Sequence, residues 1–285
     1  EVRTREALPQ DWATTQNNLA NALGDLAADN EDGDRARLIG EAVKAYRAAL
    51  EVRTREALPQ EWANLQNTLG NALSDQAAAS EGAERVALLD EAVVAYRSAT
   101  EIRTRTALPQ EWATAQTNIG DALVARATLT PKETRGRFYG EAVAAYRGAL
   151  EVRTREASPT DWVRTQNTIA ITLQGQAAAT EGEARVRLLG DAAATYLMTL
   201  DAVSKTEEPA GWANLRFNLG LALRDWAAAS EGDIKLPLLV AATDAVRDYL
   251  SIRTKTTPEN LAKAKELLAE LEAKIAQLGN ARTSR

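Results

Sequence analysis

Apolar and small residues recur at three- and four-residue spacing along most of the chain, and the pattern returns every fifty residues. In the first fifty, Trp12, Thr15, Leu19, Ala22, Leu23 and Leu26 form one stripe, which predicts a helix from about Gln10 to Asp29. Leu38, Ile39, Ala42, Val43, Tyr46, Ala49 and Leu50 form another, which predicts a helix from about Asp34 to Ala57. Polar breaks separate the two at Asn30 to Gly33, Ser80 to Gly82, Thr180 to Gly182 and Ser230 to Gly232. The third copy has Thr130-Pro131-Lys132-Glu133 there, read as a capping box with proline at the first helical position. Connections this short make successive helices antiparallel neighbours. At 1.5 Å per residue the two helices would be roughly 30 and 35 Å long.

The repetition extends to identity. EVRTREALPQ occupies 1–10 and 51–60, returns as EIRTRTALPQ and EVRTREASPT, and blurs to DAVSKTEEPA at 201–210. Trp12, Trp62, Trp112, Trp162 and Trp212 follow without insertion, each behind a proline: Pro9, Pro59, Pro109, Pro159 and Pro209. The tryptophans are expected at hairpin junctions in the core, where Trp62→Ala would cost about 3–5 kcal/mol. Gln16, Gln66, Gln116 and Gln166 are expected to hydrogen-bond between repeats, while Trp226 stands outside the period. Small residues at Ala20, Gly70, Gly120, Ala170 and Gly220 predict close approach of a facing backbone. After Arg253 the pattern changes. Pro258 opens a last helix whose Leu261, Ala264, Leu267, Leu268, Leu271 and Ile275 share one side and whose Lys and Glu residues share the other. Such a helix closes the end of a stack.

The divisions expected are residues 1–9 as the end of a preceding repeat's second helix, 10–257 as five repeats, 258–279 as a capping helix and 280–285 as a frayed tail. An opening at Glu1, inside a repeat, leads to the expectation of a longer parent protein.

Composition narrows the chemistry. With net charge −6 and pI near 5.1, no basic field attracts nucleic acid. Without Cys or His the chain lacks thiolate nucleophiles, imidazole bases, disulfides and the usual zinc ligands. Asp25, Asp75, Asp121 and Asp225 could in principle supply acid–base pairs, but no nucleophile, metal cluster or Gly-rich phosphate loop supports them. The expectation is a non-enzyme with no cofactor, no metal, no nucleic acid and no membrane span. The compartment stays open, with the cytoplasm the first expectation.

Asn18-Leu19-Ala20-Asn21-Ala22-Leu23, followed by Glu41-Ala42-Val43, Tyr46 and Ala49-Leu50, resembles the tetratricopeptide repeat. Leu69-Gly70, Leu73, Ala92, Tyr96 and Ala99 repeat the match, the Gln-Asn-Asn-Leu-Ala and Ala-Leu-Glu-Val-Arg-Thr runs look closest to the kinesin-light-chain type, and the resemblance covers residues 11 to about 256. The usual unit is about 34 residues. The additional residues here continue helical patterning and so lengthen the helices. Repeat five departs further, with Val246 in place of the tyrosine and Tyr249 in place of the small alanine.

The resemblance implies an all-α, right-handed solenoid of stacked antiparallel hairpins with a C-terminal capping helix. It also implies a concave groove lined by the first helix of each pair. Carried over by position, the groove rows are Thr14, Asn17, Asn21, Gly24, Asp25; Asn64, Asn67, Asn71, Ser74, Asp75; and Thr114, Thr117, Asp121, Val124, Ala125. Two more follow, Arg164, Asn167, Ile171, Gln174, Gly175 and Asn214, Phe217, Leu221, Arg224, Asp225.

Amides at Asn17, Asn21, Asn67, Asn71 and Asn167 can donate to and accept from a peptide backbone. A purely solvated helix face is the plain alternative. Arg164, Arg216 and Arg224 would favour acidic groups, and Ile171, Phe217 and Leu221 make the C-terminal part apolar unless the last helix covers them. Arg3, Arg5, Arg53, Arg55, Arg103, Arg105, Arg153 and Arg155 are expected in the last turn of each second helix, complementing its dipole and pairing with Glu51, Glu101 or Glu151. The leading functional reading is a scaffold for an unidentified protein or peptide. The alternatives are a ligand-sensing arm of a larger multidomain bacterial protein, or head-to-tail self-association into a structural solenoid.

Overall fold

A computed structural model describes residues 4–30, 34–253 and 257–283. Every regular element among them is helical: α1 (Pro9–Ala28), α2 (Asp34–Leu50), α3 (Pro59–Ala78), α4 (Gly82–Thr100), α5 (Pro109–Thr128), α6 (Lys132–Leu150), α7 (Pro159–Ala178), α8 (Gly182–Leu200), α9 (Pro209–Ala229), α10 (Lys235–Ile252) and α11 (Pro258–Thr283). The chain divides into two compact units, Glu1–Thr130 with Ala144–Val152, and Pro131–Val143 with Arg153–Arg285.

In the first unit α1 packs on α2, α2 on α3, α3 on α4 and α4 on α5, with the C-terminal part of α6 against α5. Contacts in the last pair run from Trp112 against Gly148 to Asp121 against Tyr146, in opposite chain directions as the short loops require. A buried row of alanines and leucines forms the interior: Ala13, Ala20 and Ala27 on α1, then Ala63, Leu69, Leu73 and Ala77 on α3. At the small residues of this unit the nearest neighbour is a phenol ring: a Cβ on Gly70 would lie 2.6 Å from the Tyr96 ring and one on Gly120 2.5 Å from the Tyr146 ring.

The second unit contains the N-terminal part of α6, then α7 on α8, α8 on α9, α9 on α10 and α10 on α11. Its core joins Tyr196, Leu219, Leu223, Val246 and Tyr249 to Ala264, Leu267 and Leu271 of α11. Gly220 meets both Val246 and the Ala242 carbonyl, at 2.9 and 3.3 Å from a built Cβ. Trp226 finds its place here: its ring covers Gly190 of α8, where a Cβ would sit 3.2 Å away.

The connections between repeats differ from the reading of the sequence. The second helices end at Leu50, Thr100, Leu150 and Leu200 instead of running on through positions equivalent to Ala57. The threonine of the Arg-Thr-Arg run is the reason. Its hydroxyl accepts from the N–H three residues on, as in Thr54 to Ala57 at 3.3 Å and Thr104 to Ala107 at 3.1 Å, and its carbonyl accepts from Leu58 or Leu108. This local turn competes with continuing the helix. Residues 5–7 form the same turn, so they are not the end of a helix, and residues 1–3, with Arg3, lie outside the described residues.

Each first helix begins with its proline, whose missing N–H costs nothing there. Residues 31–33, part of the first expected polar break, are outside the described residues. The other breaks place Gly82, Gly182 and Gly232 at φ +56°, +61° and +71°, conformations that a side chain would strain. Pro131 lies one residue before α6, and the Thr130 hydroxyl donates back to the Arg126 carbonyl at 2.8 Å. α11 continues past Leu278 to Thr283, and residues 284–285 of the expected tail lie outside the described residues.

Part of the stripe on α1 is exposed. Leu19 and Leu26 are 47% and 50% exposed, whereas Leu69 and Ile119 at the first position are 5% and 4%. Burial of that side therefore belongs to stacking and not to the hairpin alone. No described helix is long and apolar enough to cross a membrane.

Candidate partner-binding face

The rows on α1, α3 and α5 in the first unit share one property: every member is exposed or half-buried. Spacings of three and four place each row on one side of its helix. Asn21, Asn71 and Asp121 are exposed and Asn17 and Asn67 are half-buried.

The tyrosines of the second helices use this row. Tyr46 donates to Asn21 Oδ1 at 2.6 Å, Tyr96 to Asn71 Oδ1 at 2.9 Å and Tyr146 to an Asp121 carboxylate oxygen at 2.6 Å. A buried phenol needs an acceptor, and these residues supply it from the edge of the core. Asn71 Oδ1 also accepts from Asn118 at 3.2 Å. Burial raises all three phenols above their ordinary pKa, Tyr96 to about 12, and the Asp121 charge adds to the effect on Tyr146. The Asn21 and Asn71 oxygens are therefore committed, and their amide N–H groups are what the face has left to offer. Asn67 is the exception, with a buried Oδ1 that accepts nothing in this structure.

On α7 and α9, in the second unit, the row changes character. Arg164 pairs with Asp161 at 2.7 Å, and Asn167 Oδ1 accepts from Asn218 at 3.1 Å. Ile171 stays 50% exposed. Phe217 and Leu221 are half-buried against the core that α11 completes, and the Phe217 ring lies 4.9 Å from that of Tyr249. Arg224 contacts Asp225 at 2.7 Å, with Glu270 at 4.0 Å, and Arg216 contacts Asp248 at 2.5 Å. Each arginine expected to attract acid already faces a carboxylate of this chain. The Glu270 carboxyl is held below its usual pKa, chiefly by its hydrogen bond to Lys274.

The arginine runs are divided between two tasks. The first arginine turns inward: Arg53 donates to Thr14 at 2.7 Å and lies 3.0 Å from Glu61, and Arg103 donates to Asn64. The second lies over a tryptophan, 5.8 Å for Arg55 on Trp62 and 6.0 Å for Arg155 on Trp162, and reaches the acid that follows the second helix of the next hairpin. Those ion pairs are Arg5 with Glu51, Arg55 with Glu101, Arg105 with Glu151 and Arg155 with Asp201. The pairing with glutamate is as expected, but it crosses from loop to loop instead of sitting in a last helical turn. The glutamines serve packing as well: Gln116 lies against Gly148, 3.6 Å from a built Cβ, and Gln166 is buried.

A second ladder was overlooked in the sequence. Arg35, Arg85, Arg135, Arg185 and Lys235 also keep the fifty-residue period, at the start of each second helix. The signal was present, but mixed with neighbouring acids it did not stand out. Arg35 lines a cavity of about 170 Å³ between α1, α2 and α3 together with Tyr46, Asn71 and Asp75. Burial raises the Asp75 carboxyl pKa, and Arg35 partly offsets that rise. Arg85 lines the corresponding cavity of about 230 Å³ between α3, α4 and α5, with Tyr96, Asn118 and Asp121. A third, of about 280 Å³, lies between α9, α10 and α11 and contains Lys235.

No protein-family model matches the chain, and no curated protein matches it. One solved structure, described as "Computational Design of Self-Assembling Cyclic Protein Homooligomers", is similar over 95% of this chain and 95% of that chain at 19% identity. Its TM-score is 0.17, too low for the superposition to carry an argument. On its own geometry, the chain is an all-α array of repeated helical hairpins.

Proposed function

We propose that this chain is a non-catalytic interaction scaffold of the tetratricopeptide type, with an extended unit, and that its leading helices hold an extended segment of a partner protein. The observation that carries this reading is that no member of the row on any leading helix is buried, although the same helices supply buried residues to the core. The phenol–amide bonds add a direction to it. With Asn21 and Asn71 accepting from tyrosine, the amides present N–H donors, which suit the carbonyl row of an extended peptide. Tyr96 packs on Gly70 of the leading helix, and both are positions that carry the resemblance.

The test is peptide selection against the intact chain, followed by Asn17→Asp, Asn67→Asp and Asn167→Asp, positions outside the tyrosine bonds. A tenfold or greater loss of affinity with an unchanged circular dichroism spectrum supports the reading. Unchanged affinity in the triple variant removes the face as the binding surface.

A further inference from the structure

These three cavities occupy equivalent positions, but their charge differs. In the first, Asp75 accompanies Arg35, and in the second, Asp121 accompanies Arg85. In the third the wall contributed by the following repeat is replaced by α11, and no acidic residue lines the space. Arg224 stands where Gly24 and Ser74 stand earlier, Lys235 keeps the ladder position and α11 adds Lys274. Three cations therefore converge on a cavity of about 280 Å³ whose remaining walls are mainly Ala227, Ala228, Leu239 and Leu278.

The nearby acids do not balance this charge. Glu270 is engaged by Lys274 at 2.5 Å and lies 4.0 Å from Arg224, and Asp225 pairs with Arg224 at 2.7 Å. Lys235 is half-buried and paired with no carboxylate among the described residues. An unneutralised ammonium beside an apolar wall, in a concave site whose other polar lining residues are Arg224, Lys274 and Gln277, is the chemistry of a small-molecule anion pocket.

We propose that the cavity between α9, α10 and α11 binds a small carboxylate with a short apolar chain, its head on Lys235 and Lys274 and its chain against Leu239 and Leu278. The site is separate from the partner-binding row apart from Arg224, so the test uses substitutions off that row.

Isothermal titration of the intact protein with octanoate, acetate, octanol and octylamine separates the head from the apolar chain. Octanoate is expected to give saturable heat, and the other three none at the same concentration. Lys235→Glu places an acid at a helix start, where the dipole tolerates it, and Ala228→Phe fills the cavity from an exposed position. Each is expected to weaken octanoate at least tenfold while circular dichroism stays unchanged. Absence of octanoate binding, equal binding of octanol, or wild-type affinity in both folded variants overturns the proposal.

Discussion

The two units place the same fifty-residue hairpin in different chemistry. In the first, each second helix brings a tyrosine to a polar residue of its leading helix: Tyr46 to Asn21, Tyr96 to Asn71 and Tyr146 to Asp121. In the second, Tyr196 turns to Gln174 at 2.9 Å, because its former partner position holds Ile171, and in the last hairpin Val246 removes the hydroxyl altogether. There Leu221 replaces the amide and Phe217 contacts Tyr249. Part of the polarity of the first face is thus a requirement of the buried phenols, and where the phenol goes, the face becomes apolar. An amide ladder read from the sequence as a binding feature has a structural share that only the contacts disclose.

The largest test of this contrast removes the keystones. Tyr146 is 1% exposed, and Tyr146→Ala should cost about 3–5 kcal/mol in urea unfolding. Val246→Ala, with no hydroxyl and less volume, should cost roughly 2 kcal/mol. Equal losses would break the comparison.

Alkali provides the next test. Because burial raises the folded-state phenol pKa, the unfolded chain loses these protons first, from about pH 10. Stability is then fully present below pH 10 and falls as pH rises toward about 12, the value for Tyr96, with a slope near 1.4 kcal/mol per pH unit for each such tyrosine. A melting profile for Tyr96→Phe should fall less steeply over that range; an unchanged slope would discount Tyr96 as a contributor.

Removing only the hydroxyl sharpens the picture. Tyr46→Phe should cost about 1 kcal/mol by denaturation. Tyr96→Phe should cost less, since Asn71 Oδ1 keeps its bond from Asn118. At the small end, Leu26→Gln on the exposed side of α1 should change stability by no more than about 0.5 kcal/mol. A larger loss would show that this side is packed in solution.

The sequence was most legible where structure is local. Apolar spacing and prolines fixed the first helices to within a residue or two, since both act within a single turn of backbone. The second helices were read about seven residues too long, because Arg-Thr-Arg-Glu contains no strong breaker and the threonine turn shows only in its hydrogen bonds. The candidate face was legible as rows with no buried member. Commitment of Asn21, Asn71 and Asp121 to tyrosine was not, because the partners lie 25 residues away on another helix.

Period, helical class and hairpin order therefore follow from the chain itself: they depend on residues a few positions apart and on one interval that separates five copies. Only the tertiary structure decided how repeats match. Position 40 of one unit meets position 76 of the numbering, Gly40 with the Gln76 amide, and at the same interval Asp90 pairs with Arg126 at 2.8 Å, Gly140 meets Gln176 and Gly190 meets Trp226. Residues 36 apart acquire that complementarity in size or charge when helices stack, so it is a property of packing and has no trace in local pattern.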